Sequence, residues 1–243
     1  MLKPFFSPDI PLGHLTPAIF NQSSPLSTQY GVLGFTLGHE IAHCFTVEKR
    51  RRQKGGIKQQ KEKSSKLSFS VYRIFASHRR CFEAQYSATV ESNGRQANGT
   101  RMLHENFADN LGLRAAYDAY QLQTAEAVFP FTLRSPLKTS SSPSSSSTLD
   151  HLKRLEAVHG TGRDFFTAYA QQFCVRLSAE EEEMLAVMEA AANGGGKARV
   201  HASHRHRVNV PLSNFAPFAA AFNCPLGSPM HPRRRCAFGP DGA

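Results

Sequence analysis

The stretch GFTLGHEIAHCF, residues 34–45, carries His39, Glu40 and His43 in the order H-E-x-x-H. Around it, Leu33, Leu37 and Ile41 recur every four residues as an apolar stripe that Phe45 extends, which predicts a helix starting near Ser27 or Thr28. His39 and His43 fall off that stripe. Residues four apart on a helix are separated by about 40° around the axis and one turn along it. Both imidazoles therefore project from the same side, where a single ion can bridge them. A hydrolytic zinc site needs three protein ligands and an open position for water, so this stretch supplies two and a third must come from elsewhere.

The second strong helical pattern, ENFADNLGLRAAYDAYQL, runs from Glu105 to about Leu122, with Gly112 in its middle. Glu105 opens it and Asp109 follows four residues on, so both carboxylates share one face. One can ligate a metal while the other orients a ligand: a metal-bound imidazole usually donates its remaining N–H to a carboxylate. Glu40, beside the metal without binding it, is placed to take a proton from an activated water. Further helices are expected from Gly162 to Cys174 and over SAEEEEMLAVMEAAA, which has a Ser cap and an acidic first turn. The chain reads as mainly α, with a Pro/Ser/Gly-rich approach over residues 1–30.

Charge is concentrated. The formal excess is +10, and residues 47–80 hold 12 Lys and Arg against Glu48 and Glu62, so 12 − 2 = +10 accounts for all of it. The first part of that segment, EKRRRQKGGIKQQKEKSSK at 48–66, lacks a helical or strand period, and 47–80 is expected to be a disordered insertion. It also lacks the interleaved aromatics of a nucleic-acid platform, so no nucleic-acid partner is expected. A Ser-rich stretch at 135–150 reads as a linker. No stretch approaches the ~18 apolar residues of a membrane span, and no targeting signal is visible at the start. Five cysteines and the sequons at Asn21 and Asn98 point to the secretory route.

Four blocks in order, YGVLGFTLGHEIAHCF, ENFADNLGLRAAYDAYQ, FFTAYAQQFC and VNVPLSNFAPFAAAFNCPLGSPMHPRRRC, resemble successive motifs of the neprilysin and endothelin-converting-enzyme family of zinc metallopeptidases. They cover roughly a third of the chain and match the carboxy-terminal catalytic part of that family. The resemblance implies a zincin-like (gluzincin) helical catalytic core, truncated and carrying insertions, with segments 1–46, 81–134 and 151–243 belonging to the catalytic domain. It implies one Zn2+ ion held by His39, His43 and Glu105, with Glu40 as general base and Asp109 as the partner of a ligand. It also implies that His201 donates to the transition state and that Arg207 binds substrate.

The implied activity is hydrolysis of peptide bonds in oligopeptides, beside apolar residues as in the family, at an extracellular or membrane-anchored ectodomain. By the same resemblance Cys81 pairs with Cys236, whereas Cys174 and Cys224 match cysteines whose partners lie upstream. This chain departs from the pattern at Cys44-Phe45-Thr46, where the family reads Gly-Phe-Asp, and the family's Asn-Ala-x-Tyr substrate strand falls before Met1. A zinc-binding fragment without activity is the alternative expectation.

Overall fold

The computed structural model of the chain describes residues 12–16, 19–46, 66–90, 94, 96–133, 160–175, 178–192 and 201–238. The helix that carries the H-E-x-x-H motif is built in three parts. Helix α1 (Leu26–Gln29) passes through a π-helical turn at Tyr30–Gly34 into α2 (Phe35–Thr46). The helices that follow are α3 (Lys66–Ser87), α4 (Leu103–Leu133), α5 (Gly162–Gln171), α6 (Ala179–Ala192), α7 (His204–Ser213) and α8 (Ala216–Ala221). Among the described residues, extended backbone pairs only at one antiparallel bridge, Val90 with Gln96. The mainly helical expectation therefore holds.

Three boundaries differ from the sequence reading. Helix α4 continues to Leu133 rather than ending near Leu122, and α5 stops at Gln171 instead of Cys174. Helix α3 begins inside the basic segment, so residues 66–80 are helical where no order was expected. The physical reason is legible afterwards: Leu67, Val71, Ile74 and Phe75 restore helical apolar spacing once the charge run ends. The same helix then buries Phe82 and Tyr86 completely. Residues 47–65 and the Ser-rich stretch 135–150 lie outside the described residues.

Helix α2 lies along α4, and the contact is backbone to backbone. A Cβ placed on Gly38 would sit 2.7 Å from the Gly112 carbonyl oxygen, and one on Gly112 would sit 2.5 Å from the His39 nitrogen. Only glycine permits that approach. It also decides which side of α2 turns inward. The Leu33–Leu37–Ile41 stripe does not: Ile41 is 49% exposed, while Phe35, His39 and Ala42 are buried. Short polar side chains on two helices this close can meet and satisfy one another, which is what draws the histidine face into the interior.

Two aromatic-rich clusters flank α4. One gathers Phe82, Tyr86, Phe107 and Phe238, and the other Phe35, Tyr120, Phe165, Phe166, Tyr169 and Phe215. A capping box starts α5: the Thr161 hydroxyl accepts from the Asp164 backbone N–H, and the Asp164 carboxylate accepts from the Thr161 N–H. Cys81 and Cys236 form a disulfide, as the family resemblance implied, tying α3 to the carboxy-terminal segment. A buried amide network reinforces the same junction. Asn110 donates to the Tyr86 hydroxyl at 2.9 Å, Asn214 donates to Asn110 at 2.9 Å, and Gln85 and Asn214 exchange bonds of 2.8 Å.

Candidate active site

Four segments converge on the buried face of α2. Helix α2 presents His39, Glu40 and His43; α4 presents Glu105 and Asp109 one turn apart; the approach to α7 brings His201; and α7 brings Arg207. Every residue singled out from the sequence as a candidate therefore falls in one cluster. What each does chemically follows from the geometry.

Three donor atoms face each other. His39 Nε2 lies 3.2 Å from Glu105 Oε2 and 3.2 Å from His43 Nε2, and His43 Nε2 lies 3.5 Å from Glu105 Oε2. Four ligands at zinc distances of 2.0–2.1 Å in a tetrahedron stand about 3.3–3.4 Å apart, so this triangle has the edge length that a zinc ion requires. Glu105 Oε2 is buried and none of the nitrogens around it makes a well-aligned hydrogen bond to it, although His201 Nε2 also stands 2.9 Å away. A buried carboxylate oxygen left without a well-aligned partner is what a cation would satisfy, and the set His39, His43, Glu105 fits zinc in number, type and spacing. His201 belongs to a second group of close donors with His39 and Glu105, and its ring stacks on that of His39 with centroids 6.5 Å apart.

The far side of His39 is held by a carboxylate. Its Nδ1 lies 2.8 Å from Asp109 Oδ1, close enough to bond although the ring is not ideally aligned for it. With Asp109 only 1% exposed and nothing else offered to that nitrogen, the carboxylate is its partner. A proton kept on Nδ1 leaves the Nε2 lone pair for a metal. Asp109 is compensated in turn by Arg207, whose Nε and Nη2 donate to its two oxygens at 2.9 and 2.7 Å. A bidentate pair of this kind is how a buried carboxylate stays ionised.

Without a metal the surrounding carboxylates favour a second proton on His39, which an ion bound at Nε2 would displace. Burial alone would lower the His39 imidazole, yet Asp109 and Glu105 beside it lift its pKa to about 9. For Glu105, burial alone would raise the carboxyl, but the imidazoles of His201, His39 and His43 bring it well below the ordinary carboxylate range. Asp109 behaves likewise, with burial opposed by the Arg207 charge and the bonds from His39 and Arg207. Both carboxylates are thus kept ionised, Asp109 compensated by Arg207 and Glu105 facing the metal position.

A cleft of about 250 Å³ opens on the cluster, reaching His39, Glu40, His201 and Arg207. A Glu40 carboxylate oxygen lies within 4.8 Å of the His39 and His43 ring nitrogens, near the metal position without being needed to fill it. Arg207 spends two of its five N–H groups on Asp109, and its guanidinium carbon sits 4.9 Å from the centroid of the Phe173 ring. The Tyr169 hydroxyl donates to the Arg207 carbonyl. Phe173, Tyr169, Gln172 and His14 were not anticipated as parts of the site. Gly112 was visible as an oddity inside a helix, the one signal that could have located the helix crossing.

The chain is similar in sequence and fold to known peptidases. The pattern of Peptidase family M13 matches residues 6–238. The chain is 32% identical over 246 residues to endothelin-converting enzyme 1 of Rattus norvegicus, covering 97% of this chain and 27% of that protein. It is 30% identical over 244 residues to neprilysin-2 of Caenorhabditis elegans, covering 97% and 28%. Zinc metalloprotease ZMP1 of Mycobacterium tuberculosis, solved in complex with an inhibitor, superposes with a TM-score of 0.54 at 21% identity, covering 88% of this chain and 28% of that one. The chain thus spans about a quarter of the length of these relatives.

Proposed function

The chain belongs to Peptidase family M13, and from that premise we propose that it is the metal-bearing part of a zinc metalloendopeptidase that hydrolyses peptide bonds of oligopeptides. The single observation that supports this best is the triangle of His39 Nε2, His43 Nε2 and Glu105 Oε2 with sides of 3.2, 3.2 and 3.5 Å. When bound there, zinc supplies a Lewis acid that polarises a carbonyl and lowers the pKa of water toward ~7.

The remaining work falls to the side chains. Glu40 accepts the proton of the attacking water on its carboxylate and passes it to the leaving amine nitrogen, a role suited to a group close to the metal but outside its ligand set. Asp109 keeps the Nδ1 proton on His39 and holds the ring in register. His201 donates from Nε2 to the oxygen that gains charge as the carbonyl carbon becomes tetrahedral. Arg207, fixed by Asp109, positions the peptide through its remaining N–H groups. In keeping with the relatives, we place the protein outside the cell or in a membrane-anchored ectodomain. Among the described residues no helix is long and apolar enough to cross a membrane.

The test is metal analysis beside hydrolysis of quenched peptides. Glu40→Gln should keep one equivalent of zinc and lose activity by about 10²-fold or more. Glu105→Ala should lose the metal, and His201→Ala should lower kcat more than zinc content. Zinc released by Glu40→Gln would remove Glu40 from the role of base. Zinc-loaded wild type that cleaves nothing would leave the inactive zinc-binding fragment in place of the enzyme.

A further inference from the structure

Pro211 lies inside α7 and is fully buried. In an α-helix the N–H of residue 211 would donate to the carbonyl four residues back, which is that of Arg207. Proline has no N–H, and its ring crowds that same carbonyl. The helix therefore withholds the usual donor from the backbone of the residue that pairs with Asp109 and lines the metal cleft. An acceptor left without its donor in a packed region destabilises the conformation that holds it.

A donor comes instead from α5. The Tyr169 hydroxyl, 38 residues away in the chain, donates to the Arg207 carbonyl. Tyr169 is fully buried, and its ring meets that of Phe35 edge to face with centroids 4.7 Å apart, so the hydroxyl sits on a fixed arm. Burial and the nearby Asp109 charge push the phenol well above its ordinary range, so it keeps the proton it donates. Arg207 is thus held at both ends. Tyr169 takes its carbonyl, while Asp109 takes two N–H groups of the guanidinium and the Phe173 ring lies 4.9 Å from its central carbon. On the peptidase reading above, we propose that Tyr169 is a positioning residue, whose hydroxyl replaces the backbone N–H that Pro211 lacks and so fixes Arg207 where its remaining N–H groups meet the peptide.

The experiment is a double-mutant cycle on the zinc-loaded full chain with one quenched peptide. Tyr169→Phe removes the hydroxyl and keeps the ring. It should raise KM by about tenfold with kcat and one equivalent of zinc retained, the signature of lost uniform binding. Pro211→Ala restores an N–H at that position, and in that background the effect of Tyr169→Phe should vanish. Pro211→Ala alone is the reference, so any effect of the vacated ring volume cancels. A packing role for Tyr169 would instead give the same loss in both backgrounds; that result, or an unchanged KM in Tyr169→Phe, overturns the proposal. Should Tyr169→Phe alone fail to fold, the double variant decides. A KM equal to that of Pro211→Ala supports the exchange of one donor for the other, and a raised KM or an unfolded double variant overturns it. The same peptide titrated calorimetrically into zinc-loaded Glu40→Gln carrying these changes reads binding without turnover. If Tyr169→Phe weakens binding there and Pro211→Ala erases the loss, yet the wild type cleaves nothing, the peptidase reading falls and the positioning role stands. If Tyr169→Phe leaves binding unaltered, or no peptide binds, the positioning role falls whatever the turnover shows.

Discussion

Replacing Gly112 with Ala tests whether the close crossing of α2 and α4 is what registers the metal donors. The added Cβ would lie 2.5 Å from the His39 nitrogen, 2.8 Å from its Cα and 3.0 Å from the Gly38 carbonyl carbon. All three are backbone atoms, so no side chain can swing aside. Non-bonded heavy atoms rest near ~3.5 Å, so the helices must separate by about 1 Å. Asp109 moves with α4 and His39 with α2. The 2.8 Å approach of Asp109 to His39 Nδ1 then stretches to about 3.8 Å, beyond the ~3.2 Å reach of a hydrogen bond. The Glu105 edge of the donor triangle opens with it.

Loss of such a supporting carboxylate costs about 10- to 100-fold in metal affinity. Overpacking costs ~1–3 kcal/mol of fold stability, but Ala in a helix interior recovers up to ~1 kcal/mol relative to Gly. Zinc affinity should therefore fall far more than stability of the metal-free chain. Chelator competition gives the first quantity and urea unfolding of the apo protein the second. Unchanged zinc affinity in Gly112→Ala, with the protein folded, would refute the claim that backbone contact at this crossing sets the donor spacing.

Two further outcomes follow from the packing. Changing Cys81 and Cys236 together to Ala should destabilise the chain by up to about 5 kcal/mol in the chain-entropy picture, because the bond closes a separation of 155 residues; peptide mapping that finds both as free thiols, or a double variant as stable as the wild type, would count against it. Tyr120 is pushed up to about 12, mainly by burial and then by the charges of Tyr117 and Asp164, and burial also raises Tyr86 and Tyr169. A folded pKa above the unfolded ~10 means that this stabilisation is fully present below pH ~10 and is lost as pH rises through about 12. Alkaline titration should show these phenolates appearing together with unfolding, whereas titration of all tyrosines near their ordinary value in folded protein would exclude the coupling.

The parts of the site that were legible in the sequence are those set by local geometry. A helix places residues four apart on one side regardless of its surroundings, so His39 with His43 and Glu105 with Asp109 could be paired before any packing was known. Donor type did the rest, since imidazole and carboxylate at that spacing are what zinc binds. Helix content followed from the same periodicity, except at Lys66–Arg80, where the composition of a charge run masked the apolar spacing that begins at Leu67.

Tertiary structure decided the remainder. Periodicity gives the angle between two faces of α2 but not which one finds a partner, and α4 settled it by meeting the Gly38 face instead of the Leu33–Ile41 stripe. The Arg207–Asp109 pair closes over a separation of 98 residues, and the cleft wall joins His14 to Gln172. Contacts of that range are fixed by the closure of the whole helical stack around α4, to which no local spacing is sensitive. The metal donors are thus a property of two helices taken singly, and their spacing, their charge compensation and their cleft are properties of the assembled fold.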